Sequence, residues 1–250
     1  MYENHLSLTE PKDDAIIWRY LDIAKFIHLL NSSSLFFTRI TQFTDPYEGH
    51  MTKGTLDELL KFPEKFPENE RQEKEKTIRK NINFFTNMRP ILCASCWHEN
   101  KTESAAMWDL YIGSGQGLAI RTTFAKFKEA LKPSNINVSA GMVKYVDYDT
   151  HNLDITNIFN FGILKRNSFE HERELRALIM DDTDSAGVYV DVNLSDLIQG
   201  IVISPNSPSW FIDVVTNQMK IHKLEERIEK SSLMEYPEYL KNFLQSNYGS

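Results

Sequence analysis

Near the end of the third quarter of the chain, Glu170-His171-Glu172-Arg173-Glu174-Leu175-Arg176 brings three carboxylates and two guanidiniums into seven residues. They run into Ala177-Leu178-Ile179-Met180, an apolar run that reads as a buried strand. On an extended chain, residues two apart share a face, so Glu170, Glu172 and Glu174 would project together. Like charges so placed need a cation or a shared proton between them, and such clusters gather where charge does chemical work. The competing reading starts the strand at Glu174 and leaves Glu170 to Arg173 as a solvated charge run.

Three further groups carry functional side chains. Trp18-Arg19-Tyr20 sets an arginine between aromatics on an apolar strand, either as a fork for phosphate or carboxylate or as a side chain reaching for the sheet edge. Asp45-Pro46-Tyr47-Glu48 holds two carboxylates and an aromatic on a stiff turn closed by Gly49, where Asp45 alone would be satisfied by backbone amides. Trp97-His98-Glu99 is followed by Met107-Trp108-Asp109-Leu110-Tyr111, in which Trp108 and Tyr111 share a helix face of the kind usually turned to the core. Lys165 and Arg166 stand just before the glutamate run.

Two patterns read as structural. Cys93 and Cys96 lie inside an apolar strand, where positions three apart face opposite ways, so they read as two buried thiols rather than as a metal pair. The Gly113–Gly117 stretch leads from a helix into a strand, as a C-cap and turn, whereas a phosphate-cradling loop leads into a helix. No set of metal ligands has convincing spacing.

These residues need a frame. Ile16 to Tyr20 reads as a strand, Asp22 caps a helix with Ile23, Phe26, Ile27 and Leu30 on one face, and Leu35 to Ile40 is a second strand. Thr52 to Met88 is helical and very polar between Pro63 and Lys80, which predicts a peripheral insertion flanking the cleft. Ile91 to Trp97 is strand, Glu103 to Ile112 helix, Leu118 to Thr123 strand and Ala125 to Leu131 helix. Val138 to Tyr148 reads as a strand bent at Gly141, and Ile155 to Asn167 as a helix. The strands Leu175 to Met180, Gly187 to Val192 and Leu197 to Ser204 follow, with helices at Pro208 to Met219 and Tyr236 to Ser246. The result is one α+β domain over residues 1–250, with a mixed, mostly antiparallel central sheet, flanking helices and the insertion at about 52–88.

At 250 residues the chain can bury a sizeable core, and a formal charge of -7 argues against binding nucleic acid or membrane surfaces through bulk charge. No run reaches transmembrane length and residues 1–10 lack a signal-peptide core, so a cytoplasmic protein is expected.

Taken in order, Trp18-Arg19-Tyr20, Leu35-Phe36-Phe37 leading into Phe43-Thr44-Asp45-Pro46-Tyr47-Glu48-Gly49, Met107-Trp108 with Tyr111, Gly117-Leu118-Ala119-Ile120, and Glu172-Arg173-Glu174-Leu175-Arg176 resemble the bacterial family catalogued as domain of unknown function 2971. The resemblance spans about residues 16–205. Thr44 stands where that family has Asn, and His171 where it has an aromatic-acid pair. The family's layout is more distantly similar to ADP-ribosyltransferases of the DarT and PARP type. That similarity implies an NAD-using transferase, in the role of a toxin or antiphage effector, acting on a protein or nucleic-acid acceptor. By position, Glu174 or Glu172 would be the catalytic carboxylate and Arg19 would contact the nicotinamide-side ribose or the phosphates. Tyr20, Asp45, Tyr47, Glu48, Trp108 and Tyr111 would complete the cofactor cleft. Arg19, Asp45, Glu48, Trp108 and Glu174 are therefore expected to line one cleft, with Arg19 and Glu174 on the same face of the sheet. A non-enzymatic module sensing a nucleotide or a partner is the first alternative. A Mg²⁺-dependent nuclease built on Asp45, Glu48 and the three glutamates is the second.

Overall fold

The structure is a computed structural model, and it describes residues 1–113, 115–224, 227–240, 243 and 246. Its opening unit is β1 (Ile16–Asp22), α1 (Ile23–Ser32) and β2 (Ser34–Arg39). Asp22 ends the strand and starts the helix by accepting the Lys25 amide at 2.8 Å. The insertion follows as α2 (Lys53–Lys61) and α3 (Glu68–Met88), joined by a 3₁₀ turn. Only Thr55, Pro63 and Ile78 are buried along these elements, and Phe85 stacks on Phe161 at 5.5 Å.

Next come β3 (Leu92–Glu99), α4 (Ala105–Tyr111), β4 (Gly117–Thr123), α5 (Phe124–Ala130), β5 (Ser139–Met142) and β6 (Lys144–Val146). After α6 (Phe159–Gly162), β7 (Leu164–Arg166) and a 3₁₀ turn at Asn167–Glu172, the chain enters β8 (Glu174–Met180) and β9 (Gly187–Asp191). It closes with α7 (Leu194–Leu197), β10 (Gly200–Ile203), α8 (Ser209–Ile221) and β11 (Ile228–Lys230). The main sheet has nine strands and is antiparallel except where β11 runs parallel to β10; β6 and β7 form a separate parallel pair. This is the expected α+β domain with a mixed, mostly antiparallel sheet.

The strand that organises the sheet is β3. Along one edge it pairs with β8 from Leu92 to His98. Along the other it pairs with β1 only at His98 and Glu99, and with β2 only at Cys93 and Ala94. Among the described residues no strand pairs Ser95–Trp97 on that edge, so β1 and β2 part from β3 and leave a split in the sheet. One face of the sheet, with Ile17, Cys93, Trp97, Leu175 and Ala177, packs under α1, α5 and α8 through Phe26, Phe127 and Phe211. On the other face Leu92, Ala94 and Leu178 pack with Tyr148 and Phe161, and Trp18 and Tyr20 pack on Met107 and Trp108.

Several local expectations are corrected. The helix expected over 155–167 shrinks to the four residues of α6, because Leu164–Arg166 pairs with Lys144–Val146 as β7. The strand expected over 138–148 breaks at Val143, whose amide turns to the Glu174 carbonyl at 2.8 Å. At 197–204 the strand begins only at Gly200, since Asn193 caps a short helix ahead of it. Of the expected terminal helix at 236–246, residues 238–240 are helical, while 241, 242, 244 and 245 lie outside the described residues. No helix among the described residues is long and apolar enough to cross a membrane.

Candidate functional site

The three glutamates do not share a face. The segment 167–172 coils as a 3₁₀ turn and Arg173 adopts φ 40°, a left-handed conformation uncommon for a side chain with a Cβ. That kink leaves Glu170 in solvent and swings Glu172 back beside Glu174, both buried. The strand starts at Glu174, so the reading of Glu170 to Arg173 as one extended ladder is set aside.

What meets Glu174 is Arg176, which is fully buried. Its Nε and Nη2 donate to the two Glu174 carboxylate oxygens, each at 2.9 Å. Nη1 and Nη2 donate to the two Glu48 oxygens at 2.7 and 2.9 Å, and Nη1 also donates to the Gly162 carbonyl at 2.9 Å. All five guanidinium N–H groups are thereby used. Phe43 lies against the guanidinium, 5.2 Å from ring centre to Cζ. Lys165, delivered by β7, donates to Glu172 at 2.6 Å and to Glu174 at 3.3 Å, with Glu48 at 3.6 Å. Three carboxylates thus face two cations, 3 − 2 = 1, and one net negative charge remains when all are ionised.

The pKa directions follow from this wiring. Burial opposes the charge of Glu174, but Arg176 and Lys165 outweigh it and hold the carboxyl at about 2. Burial also opposes Arg176, yet Glu174 and Glu48 keep it well above its usual value. For Glu172 burial wins over Lys165 and the carboxyl is pushed up. Only one of its oxygens, Oε2, accepts from Lys165; Oε1 meets no donor among the described residues.

Within the split, a cavity of about 500 Å³ opens, inside the size range of small-molecule sites. Arg19, Tyr20, Tyr111, Glu172 and Glu174 all line it. Arg19 spans the gap: Nη1 donates to Ser95 Oγ and Nη2 to the Phe36 carbonyl at 3.3 Å, with Trp97 against the guanidinium at 5.6 Å. Among the described residues no carboxylate pairs with it, and burial pushes its pKa down. Strand alternation sends Arg19 to the Trp97 side and Glu174 to the Cys96 and His98 side. The expectation that both sit on one face is therefore corrected. They meet at one cavity because the strands between them have parted.

Of the other expected site residues, Asp45, Tyr47, Glu48 and Trp108 are placed elsewhere. Glu48 lies behind Glu174, 2% exposed and off the cavity wall. Asp45 accepts the Tyr47 amide at 3.1 Å in an Asx turn and pairs with Arg166 at 2.9 Å. Tyr47 stays half in solvent with the Arg166 guanidinium 4.3 Å over its ring. Trp108 is core: its ring meets Tyr20 edge-on at 4.8 Å and its Nε1 donates to Glu103. Tyr111, expected to share that core face, is exposed at the cavity instead. The insertion contributes no residue to the lining. Asp45, Glu48 and Trp108 support the cleft from behind; they do not line it.

Among the lining residues that were missed, two stand beside the glutamates. Cys96, taken from its apolar strand for a buried thiol, is half-buried on the wall beside Glu174, and burial raises its pKa well above the ordinary thiol value. His98 packs at the same end; its Nδ1 contacts the Glu172 carbonyl at 2.6 Å, which makes Nδ1 the protonated nitrogen, and burial pushes its pKa down. The Trp97-His98-Glu99 motif was the available signal for His98. Among the described residues no group of three His, Cys, Asp or Glu is placed to hold a metal ion. No protein-family model, curated protein or solved structure matches the chain.

Proposed function

We propose that the cavity binds a phosphate-bearing nucleotide and that the chain is an NAD-using, ADP-ribosyltransferase-like enzyme. The observation that carries this reading is Arg19: a guanidinium with no carboxylate partner among the described residues that lines the same cavity as Glu172. A desolvated cation of this kind is matched by an anion brought from outside, and the planar fork suits phosphate. In this reading the pyrophosphate sits on Arg19 and the nicotinamide faces Tyr20 and Tyr111. The ribose lies at Glu172, whose unpaired oxygen is turned to a hydroxyl and to the positive charge that grows at C1′. The C1′–N bond breaks and its electron pair leaves with nicotinamide. The acceptor's nucleophile, from a protein or a nucleic acid, then bonds to C1′ and gives up its proton. The resemblance to the family of domain of unknown function 2971, and a role as toxin or antiphage effector, belong to the same proposal.

Between the two glutamates, the geometry favours Glu172 for the reacting ribose. Both oxygens of Glu174 are engaged by Arg176, so Glu174 acts as the buttress that fixes the acidic end. The same engagement supports the second reading, a nucleotide-sensing module without turnover. The nuclease reading loses support, since Asp45, Glu48 and Glu174 are each held by an arginine of the chain.

The test is release of nicotinamide from NAD by the wild type and by Glu172→Gln, with DNA, RNA and protein acceptors present. Turnover in the wild type, lowered about 10²–10³-fold in the variant, is the expected result. Binding of NAD without turnover by the wild type selects the sensing module, and absence of both binding and turnover overturns the proposal.

A further inference from the structure

The part of the cavity wall formed by β2, β9 and α1 is aromatic. Tyr189, on the edge strand β9, is 51% exposed and touches Phe36 and His28, each with ring centroids 4.9 Å away. All three line the cavity, yet none belongs to the Arg176 network. The arrangement is built into the backbone. Phe36 and Tyr189 are directly paired across β2 and β9, and Gly187 leaves space for the Phe36 ring. A Cβ at Gly187 would lie 2.6 Å from Phe36 Cζ and would clash with the Phe37 carbonyl oxygen. A large aromatic left half in solvent at a cavity rim, braced by two more rings, offers a face to a planar ligand. Arg19 bridges the two sides of the split, donating to the Phe36 carbonyl of β2 and to Ser95 of β3, and it lines the same cavity as Tyr189 and Glu172.

We infer that Tyr189, supported by Phe36 and His28, seats the purine base of the nucleotide. This rests on the nucleotide reading above and extends it: the ligand runs from base at Tyr189, through phosphate at Arg19, to ribose at Glu172. Stacking of one base on one aromatic ring is sequence-tolerant and contributes about tenfold or more in affinity.

AMP and ribose 5-phosphate differ by the base alone, and pyrophosphate carries no sugar, so titration calorimetry with these three separates the parts. The wild-type chain is expected to bind AMP about tenfold or more tighter than ribose 5-phosphate. Tyr189→Ala should erase that advantage with no change for pyrophosphate, and Tyr189→Phe should keep it. Tyr189 is at the edge of the sheet and its substitution is monitored by thermal unfolding. If pyrophosphate binds and Arg19→Met abolishes it, but AMP has no advantage or keeps it in Tyr189→Ala, the base seat is overturned and the phosphate reading stands. If none of the three binds, the nucleotide reading falls and this inference with it.

Discussion

Two arginines of this chain, Arg176 fully buried and Arg19 half-buried, sit under opposite conditions. Arg176 spends every N–H on two carboxylates and a carbonyl, and its charge is answered twice over. Arg19, on the other side of β3, has a hydroxyl and a carbonyl and no carboxylate among the described residues. A buried charge that is fully paired holds neighbouring elements together, here β8, α6 and the loop around Glu48, and has nothing left for a ligand. A half-buried charge without a countercharge costs stability, and in the proposed reading an anionic ligand supplies what the chain does not. The contrast separates the part of the motif set that builds the site from the part that would use it.

The largest effect is expected at the closed centre. Glu48→Gln leaves Arg176 with one carboxylate in a dry environment, and breaking such a pair destabilises by about 3–5 kcal/mol. Urea unfolding should show this as a large drop in the midpoint. A drop below about 1 kcal/mol would mean that water reaches Arg176 and that the centre is open as well.

Glu174 gives a pH test of the same centre. Its folded pKa, about 2, lies below the unfolded value of 4.5, so its stabilisation is complete above about pH 4.5 and is lost as pH falls towards 2. Glu172, pushed up by burial, works in the opposite direction. The stability of Glu174→Gln should therefore be lower at neutral pH and fall less steeply between pH 4.5 and 2 than that of the wild type. Parallel acid curves for the two would contradict the pairing.

A smaller effect is expected at the open arginine. Arg19→Met exchanges a cation with no carboxylate partner among the described residues for an apolar chain of similar length, so the relief of desolvation offsets the loss of two hydrogen bonds. Its unfolding midpoint should stay within about 1 kcal/mol of the wild type. Smallest of all is the effect of the insertion on the cavity. Excising Pro63–Lys80 removes two buried side chains, Pro63 and Ile78, but no residue of the lining. Some stability is lost, while affinity for pyrophosphate should not change; a changed affinity would bring the insertion back to the cleft.

Much of the frame was legible from local pattern. The apolar spacing of Ile23, Phe26, Ile27 and Leu30, with Asp22 as cap, located α1 and the strands on either side of it. The abutment of Glu174 and Arg176 on an apolar run located β8. What escaped the sequence depended on long-range pairing. Leu164–Arg166 looked helical because its partner, Lys144–Val146, is remote in sequence, and that pairing is what delivers Lys165 to the glutamates. The split in the sheet escaped for the same reason. It arises because β3 passes from β1 to β2 along one edge, a matter of register that no single segment displays. Without it, period-two alternation separates Arg19 from Glu174, and the shared cavity cannot be foreseen. Glu48 and Asp45 were marked as site residues by residue type; only their partners, Arg176 and Arg166, reveal that they anchor the loop.

The central claim is that the charge of Arg19 is left for a ligand, and titration of NAD into the wild type and Arg19→Met tests it most directly. Loss of a charge-assisted hydrogen-bond pair corresponds to about tenfold to a hundredfold in affinity. The account predicts that the wild type binds and that the variant binds weaker by that factor while unfolding at the same urea concentration. Equal affinity in the two proteins, or an Arg19→Met chain as destabilised as Glu48→Gln, would contradict it.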